Sequence, residues 1–185
     1  MEISERGYWI GTDRSKHQYD RTLSYYIYHL VLMNKYKSVL DIGCGDGSYV
    51  KHLYDLGIEC SGYDGNPDTS ELSGGLCGVI DFSKPVNISP ADLVICLEVG
   101  EHVPKEYQEV LLDNISNHAN RAIVLSWAIP DQGGFGHVNC RDNKYIIDKM
   151  KKRGFTIHDE YTRILRENST KTWFKQTLMI LEKIK

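Results

Sequence analysis

The chain has 185 residues, 41% of them hydrophobic and 25% charged, which is enough apolar material for one domain with a sizeable core. Lysine and arginine total 22 against 25 acidic residues, and the formal net charge of -3 provides no overall positive field that would favour nucleic acid or an anionic membrane as a partner. The acidic N-terminus is unlike a signal peptide, no apolar stretch could cross a bilayer, and the five cysteines form no Cys-x-x-Cys pair, so we expect a cytoplasmic protein with reduced thiols.

The N-terminal stretch is polar and aromatic before it becomes helical. Residues 1–37 are predicted to form a cap segment and helix of the same domain as the core, which spans residues 38–185. Apolar residues recur at helical spacing over residues 22–34, so this helix should lie against a sheet. The segment before the helix contains three candidates for contact with a substrate: Trp9, His17 and Tyr19.

The first strand of the core runs directly into a glycine-rich turn. Residues 38–42 form a short apolar run, typical of a buried strand, and Gly43, Gly45 and Gly47 follow it. Three alternate glycines let the backbone bend sharply and let a ligand approach the main chain closely, while Asp41 places a carboxylate at the same edge. The dinucleotide fingerprint would need a third glycine where Ser48 stands, which argues against NAD.

This stretch resembles motif I of the class I S-adenosylmethionine-dependent methyltransferases, Asp-x-Gly-x-Gly, in which Asp41, Gly43 and Gly45 match residue by residue. The resemblance implies a doubly wound α/β fold with a mostly parallel seven-stranded sheet, an antiparallel last strand, and helices on both faces. It also implies that S-adenosylmethionine is the cofactor and that its contacts come from the ends of successive strands, namely Asp41, Gly43, Cys44, Gly45, Asp64, Gly65, Asp81, Phe82 and Leu97.

Two of these acidic residues follow the next predicted strands. Residues 58–63 should form the second strand, and Asp64 ends it roughly twenty residues after the glycines, where a carboxylate can accept both hydroxyls of a ribose. Residues 78–80 form a short third strand before Asp81, which the resemblance places at the adenine. Both aspartates could instead be ordinary turn residues at the ends of strands.

The fourth predicted strand, residues 91–97, delivers the sequence Glu-Val-Gly-Glu-His to the carboxyl edge of the sheet. A fifth strand over residues 119–127 is followed by a glycine-rich loop over residues 128–140, which is long enough to act as a lid. The remaining elements are predicted as a helix over residues 143–153 and two strands over residues 154–163 and 172–183. Alternation of strands and helices favours a doubly wound α/β sheet.

Four residues of these two loops are candidate catalytic residues and metal ligands: Glu98, Glu101, His102 and His137. Glu-x-x-Glu-His followed by a lone histidine is similar to the metal site of plant small-RNA terminal 2′-O-methyltransferases and to the signature of ubiquinone-biosynthesis O-methyltransferases. The resemblance implies a divalent cation, Mn²⁺ or Mg²⁺. Many methyltransferases without metals carry Glu-His-x-Pro here, so His102 or His137 as a general base stays the alternative.

The predicted reaction is methyl transfer to a hydroxyl of a small molecule or glycan, with a sugar hydroxyl favoured. An aromatic surface around the cleft would suit a sugar ring, and its candidate members are Trp9, Tyr19, Trp127 and Phe135. RNA ribose or polyphenol O-methylation is the alternative. An NAD-dependent oxidoreductase and a catalytically silent cofactor-binding module are further alternatives, and the oligomeric state stays open.

Overall fold

The computed structural model describes residues 2–184; Met1 and Lys185, the end points of the two predicted segments, lie outside the described residues. The strands are β1 (Glu2–Ile3), β2 (Trp9–Ile10), β3 (Ser38–Ile42), β4 (Glu59–Asp64), β5 (Gly78–Val79), β6 (Ala91–Cys96), β7 (Ala119–Leu125), β8 (Phe155–Ile157) and β9 (Met179–Lys183). The helices are α1 (Arg21–Asn34), α2 (Ser48–Asp55), α3 (Thr69–Leu72), α4 (Gln108–Asn117), α5 (Asn143–Lys151), α6 (Asp159–Asn168) and α7 (Phe174–Thr177).

Seven strands form one sheet in the order β5-β4-β3-β6-β7-β9-β8. The five strands from β3 to β7 pair in parallel, and β9 runs antiparallel between β7 and β8. This arrangement confirms the predicted doubly wound sheet with an antiparallel last strand. Because β3 has β4 on one side and β6 on the other, the loops after these strands open onto the crevice where such sheets bind ligands.

Helices cover both faces of the sheet. Along β3, the side chain of Val39 packs on one face with Leu23 and Ile27 of α1, whereas Leu40 packs on the other face with Leu111 of α4. Strands covered on both sides are apolar along nearly their whole length, which is why the first strand reads as a continuous apolar run. Among residues 2–184, no helix combines the length and the hydropathy needed to cross a membrane.

The C-terminal region differs from the sequence prediction. Residues 154–163 were expected as one strand, but β8 ends at Ile157 and α6 begins at Asp159. The Nδ1 atom of His158 accepts a hydrogen bond from the backbone N–H of Tyr161 at 3.2 Å and so caps this helix. The predicted strand over residues 172–183 is likewise shorter, because α7 precedes β9. The hairpin of β1 and β2 and the short α3 were missed, since elements of two to four residues carry no periodicity.

Candidate active site

A cavity of about 380 Å³ opens at the carboxyl ends of β3, β4 and β6. All nine residues predicted to contact the cofactor line it: Asp41, Gly43, Cys44, Gly45, Asp64, Gly65, Asp81, Phe82 and Leu97. Three of the four predicted metal ligands line it as well, namely Glu98, His102 and His137. The structure therefore brings both predicted groups of residues to one cleft.

The glycine turn after β3 is shaped for close approach. Gly43 and Gly45 have φ angles of +77° and +57°, in the left-handed region that favours glycine. The N–H groups of Gly43 and Cys44 both donate to the carbonyl of Tyr63, at 2.8 and 3.1 Å, which ties the turn to β4. A Cβ on Gly43 would stand 2.3 Å from the side chain of Val99, so no larger residue fits there.

Asp64 joins the glycine turn to the loop after β4. Its two carboxylate oxygens accept from the backbone N–H groups of Gly45 and Asn66, both at 2.9 Å. A carboxylate has about four acceptor positions, so room for ribose hydroxyls remains. Asp64 thus holds the glycine turn and keeps acceptor positions free at the cavity.

Asp81 is already engaged by protein groups. It accepts from the backbone N–H and the hydroxyl of Ser83, at 3.0 and 2.5 Å, and forms ion pairs with Arg6 at 3.7 Å and Lys84 at 3.3 Å. Arg6 also lies over the ring of Tyr107, 4.7 Å from its centroid. The N-terminal segment therefore closes this end of the cavity, a contact that sequence reasoning missed.

Glu98 stands at the end of β6 in a strained backbone conformation. Its φ of +54° is uncommon for a residue other than glycine and is the kind of strain that collects at functional sites. Its N–H donates to the hydroxyl of Ser126 at 2.9 Å, and its carboxylate accepts from Gln132 Nε2 at 2.6 Å and from the Thr177 hydroxyl at 3.2 Å. The loop after β7 and helix α7 therefore fix this carboxylate.

Glu101 is fully buried, and neither of its carboxylate oxygens has a hydrogen-bond partner. Its backbone carbonyl accepts from the N–H groups of Val138 and Asn139, both at 2.9 Å. These two bonds fold the loop after β7 back onto the loop after β6. They explain how His137, which lies far along the chain, comes close to Glu101.

Glu101, His102 and His137 form a group whose ligand atoms all lie within 4.8 Å of one another. His137 Nε2 lies 4.0 Å from Glu101 Oε1, and the two imidazole rings meet edge to face with centroids 4.9 Å apart. The Nδ1 atom of His137 lies 3.1 Å from the carbonyl oxygen of Gln132, to which it can donate. That bond leaves Nε2 as the lone-pair atom facing the group. Glu98 lies outside the group, bound instead to Gln132 and Thr177.

The pKa values around Glu101 are shifted by burial and by neighbouring charges. Burial raises the pKa of Glu98, and burial together with Glu98 raises the pKa of Glu101 well above its usual range. Burial and the neighbouring His137 lower the pKa of His102 to about 4, so this imidazole is neutral at physiological pH. The buried carboxyl of Glu101 and the partly buried one of Glu98, beside the neutral imidazole of His102, form an environment that a cation would stabilise.

Trp127 is not part of an aromatic surface, which corrects the sequence prediction. Its side chain is fully buried and lies outside the cavity lining, packed so tightly on Gly100 that a Cβ there would stand 2.1 Å from the ring. Its Nε1 donates to the carbonyl of Asn139 at 2.7 Å, and the Asn139 amide donates to the carbonyl of Val103 at 3.1 Å. Trp127 therefore supports the loops after β6 and β7 without lining the cavity.

The other aromatic candidates do line the cavity. Trp9 packs edge to face against His102 and Phe135, with centroids 5.2 and 6.2 Å apart, and lies 5.5 Å from the ring of His17. Tyr19 also faces the cavity. Sequence reasoning missed several further lining residues: Tyr8, Lys16, Tyr49, Gln132 and Trp173. Trp173 was hidden because its segment reads as a strand.

Comparison with known proteins places these observations in a family. A family model described as a methyltransferase domain matches residues 16–160. No curated protein matches the chain. Magnesium protoporphyrin IX methyltransferase (ChlM) from Synechocystis, solved with bound SAM, shares 20% identity with a TM-score of 0.63 over 88% of this chain and 77% of that chain.

Two further solved structures share the fold at low identity. The sugar N-methyltransferase KedS8 from a Streptoalloteichus species is 12% identical, with a TM-score of 0.67 over 89% of this chain and 88% of that one. The methyltransferase domain of a bacterial Hen1 protein, CtHen1-C, is 14% identical, with a TM-score of 0.61 over 88% of this chain and 97% of that one. These likenesses concern the fold of the whole domain.

Proposed function

The chain belongs to the methyltransferase domain family and is an S-adenosylmethionine-dependent methyltransferase, and we propose that it methylates a hydroxyl oxygen of a small molecule or glycan with the help of a divalent cation. The observation that carries the proposal is the buried Glu101 carboxylate without a partner, beside His102 and His137. The cofactor half of the proposal is supported by the glycine turn and by Asp64, which stand at the ends of neighbouring strands.

The residues present fit a cation. A buried carboxylate without hydrogen bonds is costly unless a positive charge compensates it, and neither carboxylate oxygen of Glu101 has a hydrogen-bond partner among the described residues. The Nδ1 atom of His102 is also buried without a partner. One carboxylate and two imidazoles form a donor set that suits a borderline cation such as Mn²⁺ better than Mg²⁺, which prefers oxygen ligands. Glu98 stands next to this group as a further carboxylate.

The chemistry is an in-line displacement. An acceptor oxygen forms the new bond to the methyl carbon, the pair of the breaking carbon–sulfur bond stays on sulfur, and the hydroxyl proton must leave to a base. A bound divalent cation would polarise the hydroxyl and lower its pKa. Without a cation, His137 Nε2 is placed to accept this proton, because it carries the lone pair of the ring, whereas burial and His137 lower the pKa of His102 to about 4. With a cation bound, that lone pair would be a metal ligand, and the proton would leave to water.

A sugar hydroxyl is the acceptor that the cleft supports best. Aromatic rings line it on several sides, and flat apolar faces flanked by polar groups suit sugar rings. Phe135, which is 54% exposed, is the most accessible of them, and Trp9 and Trp173 complete the surface. The fold is shared with a sugar N-methyltransferase, which supports the same substrate class.

An RNA ribose hydroxyl is the second candidate. It is favoured by the convergence of Glu101, His102 and His137, since their signature resembles that of the small-RNA enzymes. Two cationic side chains, Arg6 and Lys16, also line the cavity. The net charge of -3 weighs against a long nucleic acid.

The test is methyl transfer from labelled S-adenosylmethionine to a panel of free sugars, glycosides, catechols and short RNAs. The proposal expects saturable transfer to a sugar hydroxyl before the others, with oxygen identified as the methylated atom by mass spectrometry. Transfer to RNA ends alone would establish the second candidate. Cofactor binding without turnover on any acceptor would indicate a catalytically silent module.

A further inference from the structure

Two side-chain nitrogens of the N-terminal segment are buried at the cavity without a hydrogen-bond partner: an indole N–H, and an imidazole nitrogen that donates in one neutral tautomer and in the charged ring. They are the indole Nε1 of Trp9 and the imidazole Nε2 of His17, and both side chains line the cavity. The rings lie close together, with centroids 5.5 Å apart. An indole N–H can only donate, so a group that satisfies it must offer an acceptor oxygen or nitrogen. Buried donors are rarely left unpaired, which indicates that a ligand atom completes this pair.

The pair lies at the end of the cleft that faces the glycine turn. His17 rests directly on Gly45, where a Cβ would stand 2.6 Å from His17 Nδ1, so the ring occupies space that only glycine leaves free. On its other side, Trp9 contacts His102 at the reacting corner, with centroids 5.2 Å apart. The two donors thus lie between the glycine turn and the site of chemistry. A cofactor whose amino-acid arm lies on the turn would pass them.

Charged side chains of both signs line this part of the cavity. Lys16 lines it from the N-terminal segment, next to His17. Asp41 and Asp46 line it from the glycine turn, and Asp41 is only 3% exposed. The amino-acid arm of S-adenosylmethionine is a zwitterion, with one ammonium and one carboxylate group. Its ammonium suits the two aspartates, and its carboxylate suits the nitrogens of the N-terminal segment.

We propose that Trp9 Nε1 and His17 Nε2, supported by the charge of Lys16, bind the α-carboxylate of S-adenosylmethionine. The inference rests on the proposed function, since it takes the cofactor as given. It assigns the Nε1 atom of Trp9 and the Nε2 atom of His17 to the cofactor, whereas the sequence suggests both side chains as acceptor contacts; the ring of Trp9 stays part of the aromatic surface for the acceptor. By holding the amino-acid arm they orient the sulfonium toward His102 without touching the methyl group.

The test compares S-adenosylmethionine with its decarboxylated analogue, which lacks only the carboxylate. Calorimetry should show that the wild-type protein binds the analogue more weakly. Trp9→Phe keeps the ring but removes the N–H, and His17→Ala removes the second donor; each should weaken S-adenosylmethionine and S-adenosylhomocysteine by about 5- to 30-fold. Neither variant should change the affinity for the analogue. His17→Gln, whose amide can donate, should recover part of the loss.

Asp64→Ala is the matched control, because both ligands carry the ribose and should lose affinity together. Equal losses for the cofactor and its analogue in Trp9→Phe and His17→Ala would overturn the inference, as would a change confined to the KM of the acceptor. The comparison of the two ligands on the wild-type protein needs no variant to fold. Binding of neither ligand by the wild-type protein would overturn the proposed function as well, and so is distinct from failure of the carboxylate contact alone.

Discussion

His137 Nε2 lies 4.0 Å from Glu101 Oε1, a separation too long for a hydrogen bond between two groups that are both largely buried. The imidazole is held there by its contact with the Gln132 carbonyl, and the loop that carries it by two bonds to the Glu101 carbonyl. Several hydrogen bonds therefore hold these two potential ligands close to each other without a direct contact between them. That spacing suits an atom between them better than a direct contact.

The first prediction concerns that atom. Excess chelator should abolish methyl transfer, and added Mn²⁺ should restore it more effectively than Mg²⁺, because two imidazoles favour a borderline cation. His137→Ala should weaken Mn²⁺ binding by at least about 10- to 100-fold, while leaving the affinity for S-adenosylmethionine nearly unchanged. Calorimetry with Mn²⁺ measures the first effect, and titration with the cofactor measures the second.

His29→Ala is a suitable control for this prediction, since His29 lies on α1 and does not line the cavity. Full activity in excess chelator would exclude the cation. The reaction would then proceed by general-base catalysis, with His137 as the residue to test first.

The second prediction concerns Asp64. Asp64→Ala should weaken cofactor binding by about 1–3 kcal/mol, because it removes a charged acceptor and also frees the N–H groups of Gly45 and Asn66. The measurement is calorimetry with S-adenosylhomocysteine, alongside thermal unfolding. Asp68→Ala, a short distance along the chain, removes a side chain that makes no helix-capping bond and should leave cofactor affinity unchanged.

Sequence alone predicts the fold and the residues of the glycine turn that line the cavity, because both depend on local pattern. Apolar runs mark β3 and β6, and three alternate glycines mark the turn between β3 and α2. The contacts that complete the site are long-range and leave no such pattern. Nothing near Trp127 in the sequence shows that Gly100 lies beneath it, and nothing near Arg6 shows that it meets Asp81.

Glu101 illustrates the same limit within the Glu-x-x-Glu-His sequence. Its spacing from Glu98 suggests that both carboxylates point to one centre, yet only Glu101 joins the two histidines. Glu98 is turned aside by its left-handed backbone and by hydrogen bonds from Gln132 and Thr177. A backbone conformation of this kind is set by packing and cannot be derived from residue spacing.

The third prediction tests the packing beneath the site. Gly100→Ala should destabilise the protein by about 1–3 kcal/mol, because the new Cβ would stand 2.1 Å from the buried ring of Trp127. Since Glu101 and His102 follow directly, Mn²⁺ binding should weaken as well. Gly133→Ala is the matched control in the same cleft, because no atom lies within 4 Å of its Cβ position. Equal free energies of unfolding for the two variants would contradict this prediction, because they would show that the Trp127 side chain moves aside without loss of stability.

The fourth prediction concerns Asp20, a carboxylate that is only 1% exposed and joins the two ends of the fold. It accepts from the N–H of Leu23 at 3.0 Å, as the cap of α1, and from the Ser169 hydroxyl and the Thr170 N–H, both at 2.7 Å. Asp20→Asn should therefore destabilise the protein by about 1–3 kcal/mol at neutral pH, as measured by urea unfolding. Asp55→Asn, which breaks an exposed pair with Lys51, should cost less.

The same carboxylate gives that prediction a pH dependence of fixed sign. Burial alone would raise the pKa of Asp20, but the bonds from Leu23, Ser169 and Thr170 outweigh it and hold the pKa below 3.8. The unfolded chain then takes up the proton first as pH falls, so the stabilisation is complete above pH 3.8 and is lost as pH drops through the lower folded value. The difference in unfolding free energy between wild type and Asp20→Asn should accordingly shrink below about pH 4, and a difference that grew on acidification would contradict the assignment.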